Sequence, residues 1–198
     1  MKEKTSRKGI KINGMEYQKL VDEKLVRYVR NVDKEAYREV IARYQEKLMR
    51  YAYGIVLDEQ IAQDVVQNTL IKAFKNLRGF DTGRKFSSWI YRIAHNEAMN
   101  EINRGKKFIS LETHNWLGEK MVSNENIEEE YTKQEIRKTM GEVFKKIDLK
   151  YREVLTLYYL EDKSYEEIGE ILRMPMGTVG TRINRGKRLL KEVYEKEK

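Results

Sequence analysis

A capping signal followed by the chain's only proline constrains residues 164–188 more tightly than any other stretch. In SYEEIGEILRMPMGTVGTRINRGKR, Ser164 and Glu167 have the spacing of a capping box: the hydroxyl accepts from an amide of the first helical turn, and the carboxylate reaches back to the cap. Ile168, Ile171 and Leu172 then share one helical face. Pro175 disfavours helical geometry at Met174, yet suits the first turn of a following helix, where no N–H is needed. That second helix is predicted to bury Val179, Ile183, Leu190 and Val193 and to present Thr178, Thr181, Arg182, Asn184, Arg185 and Arg188. A short helix, a tight turn and a helix bearing hydroxyl, amide and guanidinium groups form the helix-turn-helix pattern. Its second helix is placed to enter a DNA major groove.

The remainder also reads as helical. With one Pro among 198 residues and 36% charged side chains, the composition predicts an all-α protein with a densely charged surface. Leu25 and Val29 seed one helix; Asp33 is placed to cap a second, whose stripe runs through Tyr37, Val40, Ile41, Tyr44, Leu48, Tyr51, Ala52 and Ile55. Asp58 is placed to cap a third, with Ala62, Val65, Val66, Thr69, Ala73 and Phe74 as its buried face and Gln63, Asp64, Gln67, Asn68, Lys72 and Lys75 outward. Residues 132–198 are predicted to form a bundle of about four helices. Ile136, Met140, Val143, Phe144 and Ile147 line its first, and Val154, Leu155, Tyr158 and Tyr159 its next.

Residues 78–107, RGFDTGRKFSSWIYRIAHNEAMNEINRGKK, form a second constellation. Gly79 and Gly83 flank a loop holding Phe80, and a helix is predicted from about Lys85. Phe86 and Trp89 are read as core. Phe80, Tyr91 and Asn96 are read as functional, with Ser88, Arg92 and His95 on the same side and Arg84, Lys85, Arg104, Lys106 and Lys107 bracketing the helix. Aromatic rings stack on unpaired bases, amides read base edges and cations follow phosphates, so this mixture suits single-stranded DNA.

Charge divides the chain in the same places. Residues 1–33 and 34–107 are net basic, residues 108–131 net acidic, and residues 132–198 net basic again, within an overall charge of +8. The expected organisation is a basic arm (1–19), a helical domain (20–107), a flexible acidic linker (108–131) with one small apolar anchor near Trp116 and Leu117, and a helix-turn-helix domain of the winged-helix-like superclass (132–198). The absence of cysteine excludes disulfides, thiol catalysis and cysteine-ligated zinc. No 18-residue apolar run offers a membrane span, and the N-terminus has no secretory apolar core. His95 and His114 are the only histidines, and no carboxylates cluster at metal-binding spacing, so neither an enzyme nor a cofactor is expected.

The phrases AQDVVQNTLIKAF, GRKFSSWIYRIAHNEAMN and YREVLTLYYLEDKSYEEIGEILRMPMGTVGTRINRGKRLL, in that order, resemble the bacterial RNA polymerase sigma factors of the extracytoplasmic-function group, within the sigma-seventy family. The resemblance runs from about Asp22 to Glu195. It implies a cytoplasmic promoter-specificity subunit that binds core RNA polymerase, recognises duplex and melted promoter DNA, and in many relatives is held by an anti-sigma factor. Carried over by position, Asp64, Val65, Val66 and Gln67 match the motif that docks on the polymerase clamp helices. Phe80 and Asn96 match the pocket for a base flipped from the melted −10 element, where a shaped site offsets the cost of unstacking. Thr178, Thr181, Arg182, Asn184, Arg185 and Arg188 match the surface that reads the −35 element, and the acidic linker matches the segment that threads the polymerase. Gln63 and Asn68 stand where acids are common, Asp148 where proline is usual, and Gly180 where a cation is usual. The last implies a lost DNA contact and a helix-interior glycine costing about 1 kcal/mol relative to Ala. The competing reading is a stand-alone helix-turn-helix regulator, which explains residues 132–198 but not the loop and aromatic face of residues 78–96.

Overall fold

The computed structural model describes residues 17–105 and 144–196, and among these there are helices and turns but no strand. The expected all-α architecture of two small helical domains is what the chain adopts. The arm before residue 17, the acidic linker with Trp116 and Leu117, and the residues Ile136, Met140 and Val143 lie outside the described residues.

The first domain consists of α1 (Asp22–Asn31), α2 (Tyr37–Val56), α3 (Glu59–Asn76) and α4 (Phe86–Gly105). Its core is rich in rings: Tyr44, Tyr51, Phe86 and Tyr91 are all buried beside Leu25, Leu48, Ile55 and Ile90. Asp58 caps α3 as its position predicts, Oδ1 accepting from the Ile61 amide at 2.8 Å. Asp33 also caps, but it caps a 3-10 turn (Lys34–Ala36) that precedes α2, accepting from the Glu35 amide at 2.9 Å. The cap of α4 comes from outside its own segment: Glu23 on α1 accepts from the Phe86 amide at 2.9 Å. A carboxylate there meets an otherwise orphan donor and the positive end of the helix dipole. Phe74 departs from expectation. The buried arc of α3 centres on Ala62, Val65, Val66, Thr69 and Ala73, so Phe74 falls at its edge, 41% exposed, with its ring leaning on Tyr37.

The second domain begins with a 3-10 turn (Phe144–Lys146), followed by α5 (Leu149–Leu155), which widens into one π turn (Thr156–Leu160). Then come α6 (Tyr165–Leu172) and α7 (Met176–Lys196). Asp148 stands at the N-cap of α5 without making a capping bond; its carboxylate pairs with Lys150 at 3.4 Å. The capping box of α6 is complete: Ser164 Oγ accepts from the Glu167 amide at 3.2 Å, and Glu167 Oε2 accepts from the Ser164 amide at 3.0 Å. Arg173 takes the left-handed conformation that ends α6 (φ 53°), and Pro175 precedes α7 directly. Val179, Ile183 and Leu190 are buried as predicted, while Val193 is half-buried.

Gly186 lets α7 approach α5. A Cβ there would lie 2.9 Å from Leu155 Cδ1 and 3.1 Å from its Cγ, and Leu155 is fully buried. Helix propensity alone favours alanine by about 1 kcal/mol, but overpacking a rigid core costs about 1–3 kcal/mol. Gly186→Ala is therefore expected to lower the melting temperature of the second domain rather than raise it, as scanning calorimetry of the full chain would show.

The two domains pack directly on each other. Gly54 of α2 faces Thr156, where an added Cβ would sit only 2.8 Å from the threonine Oγ1. Arg152 of α5 donates from Nη2 to the Ile55 carbonyl at 2.8 Å, meeting one of the last-turn acceptors of α2 that the helix itself leaves without a donor.

Candidate nucleic-acid interface

The first candidate surface is built on α4 and the loop before it. Arg30 of α1 holds this loop, donating from Nε to the Leu77 carbonyl at 2.6 Å and from Nη2 to the Phe80 carbonyl. Asp81 then folds the turn, its Oδ1 accepting from the Gly83 amide at 2.9 Å. Phe80, Phe86 and Trp89 form a cluster with ring centroids 5.0–5.6 Å apart. Of these, Phe80 and Phe86 are buried and Trp89 is half-buried. Beside them lies a cleft of about 500 Å³ whose walls include Phe80, Arg84, Lys85, Ser88, Trp89 and Arg92. Asn96 is exposed one turn further along α4, and Arg104 is exposed near its end beside Glu101.

Two of the predicted −10 residues are placed differently from the expectation. His95 turns inward, its Nδ1 3.1 Å from the Tyr51 hydroxyl, and burial pushes its pKa down to about 4. A neutral imidazole at pH 7 cannot serve as a phosphate cation. Tyr91 is 1% exposed: its hydroxyl donates to Glu161 Oε2 at 2.5 Å, and the Lys163 ammonium lies 4.7 Å from its ring centroid. Its face is covered by the second domain and is not open to a base.

That cover is polar and specific. Glu161, whose side chain is 1% exposed, receives Arg50 Nε at 3.1 Å and Nη2 at 3.3 Å in addition to Tyr91. Burial raises its pKa to about 7 despite the opposing pull of Arg50, Tyr91 and Lys163. Lys163 donates to Ser87 Oγ at 2.8 Å, and Lys85 pairs with Glu167 at 3.2 Å. Gly169, Glu170 and Arg173 of α6 and its C-cap supply the opposite wall of the cleft. None of Arg50, Glu161, Lys163 or Arg173 was singled out from the sequence. A carboxylate closing the apolar run VLTLYYLE was the one available signal.

The second candidate surface is α7. Thr181, Asn184, Arg185 and Arg188 are exposed along it and Thr178 is half-buried, with the Arg185 guanidinium 6.0 Å from the Tyr151 ring centroid. Arg182 is drawn back instead, pairing at 2.7 Å with Glu153 of α5, whose pKa burial raises to about 7 against the influence of that arginine. Gly180 lies one turn before Asn184, at the edge of this row, and is half-buried. A Cβ there would meet the Tyr165 ring at 3.3 Å, so the glycine also allows close packing of α7 on α6.

On α3, Asp64 and Gln67 are exposed, with Asn68, Ile71 and Phe74 continuing the same side. Val65 and Val66, from the same motif, are 0% and 6% exposed and lie on the buried face of the helix, as its period predicts. The charged groups outside these surfaces do not form a metal site; among the described residues no cluster of three metal-ligating side chains occurs.

Two helical domains, one carrying a helix-turn-helix with an exposed polar row and the other supplying the cations and aromatic rings along one wall of a cleft, define a two-module nucleic-acid-binding protein. Comparison with known proteins gives the family. Residues 40–108 match Sigma-70 region 2, and residues 141–190 match Sigma-70, region 4. The chain is 33% identical over 176 residues to the ECF RNA polymerase sigma factor SigW of Bacillus subtilis, covering 85% of this chain and 94% of that protein. It is 31% identical to the RNA polymerase sigma-H factor of Pseudomonas aeruginosa, over 88% of this chain and 94% of that one. Among solved structures, CnrH in complex with the cytosolic domain of CnrY superimposes with a TM-score of 0.68 at 21% identity, covering 89% of this chain and 99% of that one. The sigma factor RpoE of Bartonella quintana, in complex with the anti-sigma factor NepR, gives 0.62 at 20% identity, covering 81% and 98%. The chain belongs to the extracytoplasmic-function sigma factors, non-catalytic initiation factors that join core RNA polymerase and direct it to promoters. No described helix is long and apolar enough to cross a membrane.

Proposed function

We propose that the two surfaces divide promoter recognition between them. The exposed row Thr178, Thr181, Asn184, Arg185 and Arg188 reads the −35 duplex. The cleft bounded by Phe80, Arg84, Lys85 and Arg92, with Asn96 and Arg104 beyond it, receives the melted −10 strand. Asp64 and Gln67 dock on core polymerase. Residues 20–107 and 132–198 act as the two functional modules, the acidic segment 108–131 threads the polymerase, and residues 1–19 form a basic arm. The protein works in the cytoplasm without catalytic activity of its own. It is held by an anti-sigma factor, a reading supported by two related folds that were solved with such partners or their cytosolic domain.

The observation that carries this reading is the co-location of cations and rings around one cleft beside α4, with the Asn96 amide exposed one turn beyond it, which is the chemistry that unpaired bases and their phosphates require. The test is reconstituted transcription with core polymerase, in which binding and opening are measured apart. Asn96→Ala is expected to lower promoter opening by about tenfold, the effect of losing one base contact of about 1–3 kcal/mol, with core affinity unchanged. Asp64→Ala is expected to do the reverse. Equal losses in both steps for either variant would remove that residue from its assigned surface.

A further inference from the structure

We infer that Asn184 sets a base preference of the upstream promoter element by reading one adenine, and that the glycines before it let α7 lie close enough for so short a side chain to reach. This rests on the reading of α7 as the −35 surface.

Asn184 stands at the middle of the exposed arc of α7, opposite the buried side formed by Val179, Ile183, Gly186 and Leu190. At about 3.6 residues per turn, Gly177 lies two turns before it on nearly the same line and Arg188 one turn after it, with Thr181 and Lys187 bordering that line. Its polar neighbours are engaged within the protein. The Thr181 hydroxyl donates to the Gly177 carbonyl at 2.9 Å, Arg182 pairs with Glu153 at 2.7 Å, and the Arg185 guanidinium lies 6.0 Å from the Tyr151 ring centroid. Asn184 is exposed, and its amide makes no hydrogen bond among the described residues. Its donor and its acceptor therefore stand side by side, without a partner in the protein. Adenine is the one base that offers the matching pair in the major groove, an acceptor at N7 beside a donor at N6.

Reach is the second requirement, because an asparagine side chain is short and the helix must sit deep in the groove. A Cβ on Gly177 would meet nothing within 4 Å, and residue 177 is helical, so neither packing nor backbone conformation calls for glycine there. Glycine weakens a helix relative to alanine, and what it offers in return is close approach of the backbone to a ligand. Gly180, half-buried at the edge of the same face, adds clearance one turn before Asn184. The longer side chains of Lys187 and Arg188 come after Asn184, where they do not hold the N-terminal half of α7 away from the bases. In a helix-turn-helix that half is the one that meets base edges.

The test is selection of duplex DNA from a randomised pool by core polymerase reconstituted with the full chain. The wild type is expected to enrich an upstream element with adenine favoured by about tenfold or more at one position, the discrimination of a bidentate base contact. Asn184→Ala should erase the preference at that position alone, leaving the rest of the upstream element and the downstream element as they were. Asn184→Arg should move it to guanine, whose O6 and N7 fit a guanidinium. Replacing the selected adenine by 7-deazaadenine, which lacks the N7 acceptor, should weaken binding of the wild type severalfold and leave Asn184→Ala unaffected.

An upstream element that Asn184→Ala leaves unaltered at every position would overturn the assignment of Asn184 while the −35 reading of α7 stands. A uniform loss of affinity in that variant, with every base preference kept, would overturn it equally, since a phosphate contact or a structural role carries no base identity. If the wild type enriches a downstream element but no upstream one, the −35 reading itself falls.

Discussion

Glu161→Ala is expected to shift the free chain from a closed form, with its two domains packed together, to an open one, with them apart, by roughly a hundredfold. The substitution leaves Arg50 and the Tyr91 hydroxyl facing a void in the domain contact. Removing one partner of a buried pair costs about 3–5 kcal/mol. Opening lets both groups rehydrate, which holds the loss near the lower figure, and about 1.4 kcal/mol corresponds to each factor of ten. A donor–acceptor dye pair, with one dye on each domain, would report the change as a fall in transfer efficiency.

Glu161→Gln has a different signature. Around the carboxyl stand Arg50 and the buried Tyr51 from α2, Tyr91 from α4 and Lys163 from its own loop. Burial nevertheless dominates and raises its pKa from 4.5 to about 7. Between those two values the closed form holds a proton that the open form releases. Closure is therefore strongest below pH 4.5 and weakens as pH rises toward 7. An amide keeps hydrogen-bonding capacity without the titration. Glu161→Gln should close about as well as wild type at pH 5 and more tightly at pH 8, and this dependence should vanish from its transfer efficiency. An unchanged pH profile in the variant would assign the titration to another group.

Phe86→Ala is expected to have the largest effect on stability. Its ring is fully buried and touches Tyr44, Phe80 and Trp89, with centroids 5.4–5.6 Å away. Truncating a core phenylalanine costs about 3–5 kcal/mol, through lost transfer free energy and an unfilled cavity. The loss falls on the cluster that supports the cleft. Denaturant unfolding of the first domain should show a lower midpoint, and the Trp89 environment should loosen. A midpoint unchanged within error would mean that the cluster is not the anchor of α4.

Several elements of the fold were legible in the sequence. The capping box at Ser164–Glu167 and the cap at Asp58 depend on groups three residues apart, so the chain encodes them locally. The apolar stripe of α2 and the buried residues Val179 and Ile183 of α7 follow from a 3.6-residue period. Phe74 fell outside its expected arc because periodicity gives a direction on the helix but not the width of what covers it. Tyr91, His95 and Arg182 are placed differently from the sequence expectation for a related reason. Each has a polar or aromatic character suited to DNA, yet each meets a partner in the protein: Glu161, Tyr51 and Glu153. Composition identifies what a side chain can do, whereas its accessibility depends on the neighbouring element.

By itself, the sequence determined that the chain is helical and that a basic aromatic helix and a helix-turn-helix lie in separate segments. These properties are set by spacing and chemistry within a few turns. Only the tertiary structure decided that Glu161 would be buried against Arg50, 111 residues away, and that Gly180 would pack against Tyr165. It also decided that the carboxylates of α6 would rest beside the cations of α4. Such contacts join surfaces that are each locally stable without the other. Their pairing is set by shape, by desolvation and by the absence of a Cβ at residue 54, none of which a helical period can specify.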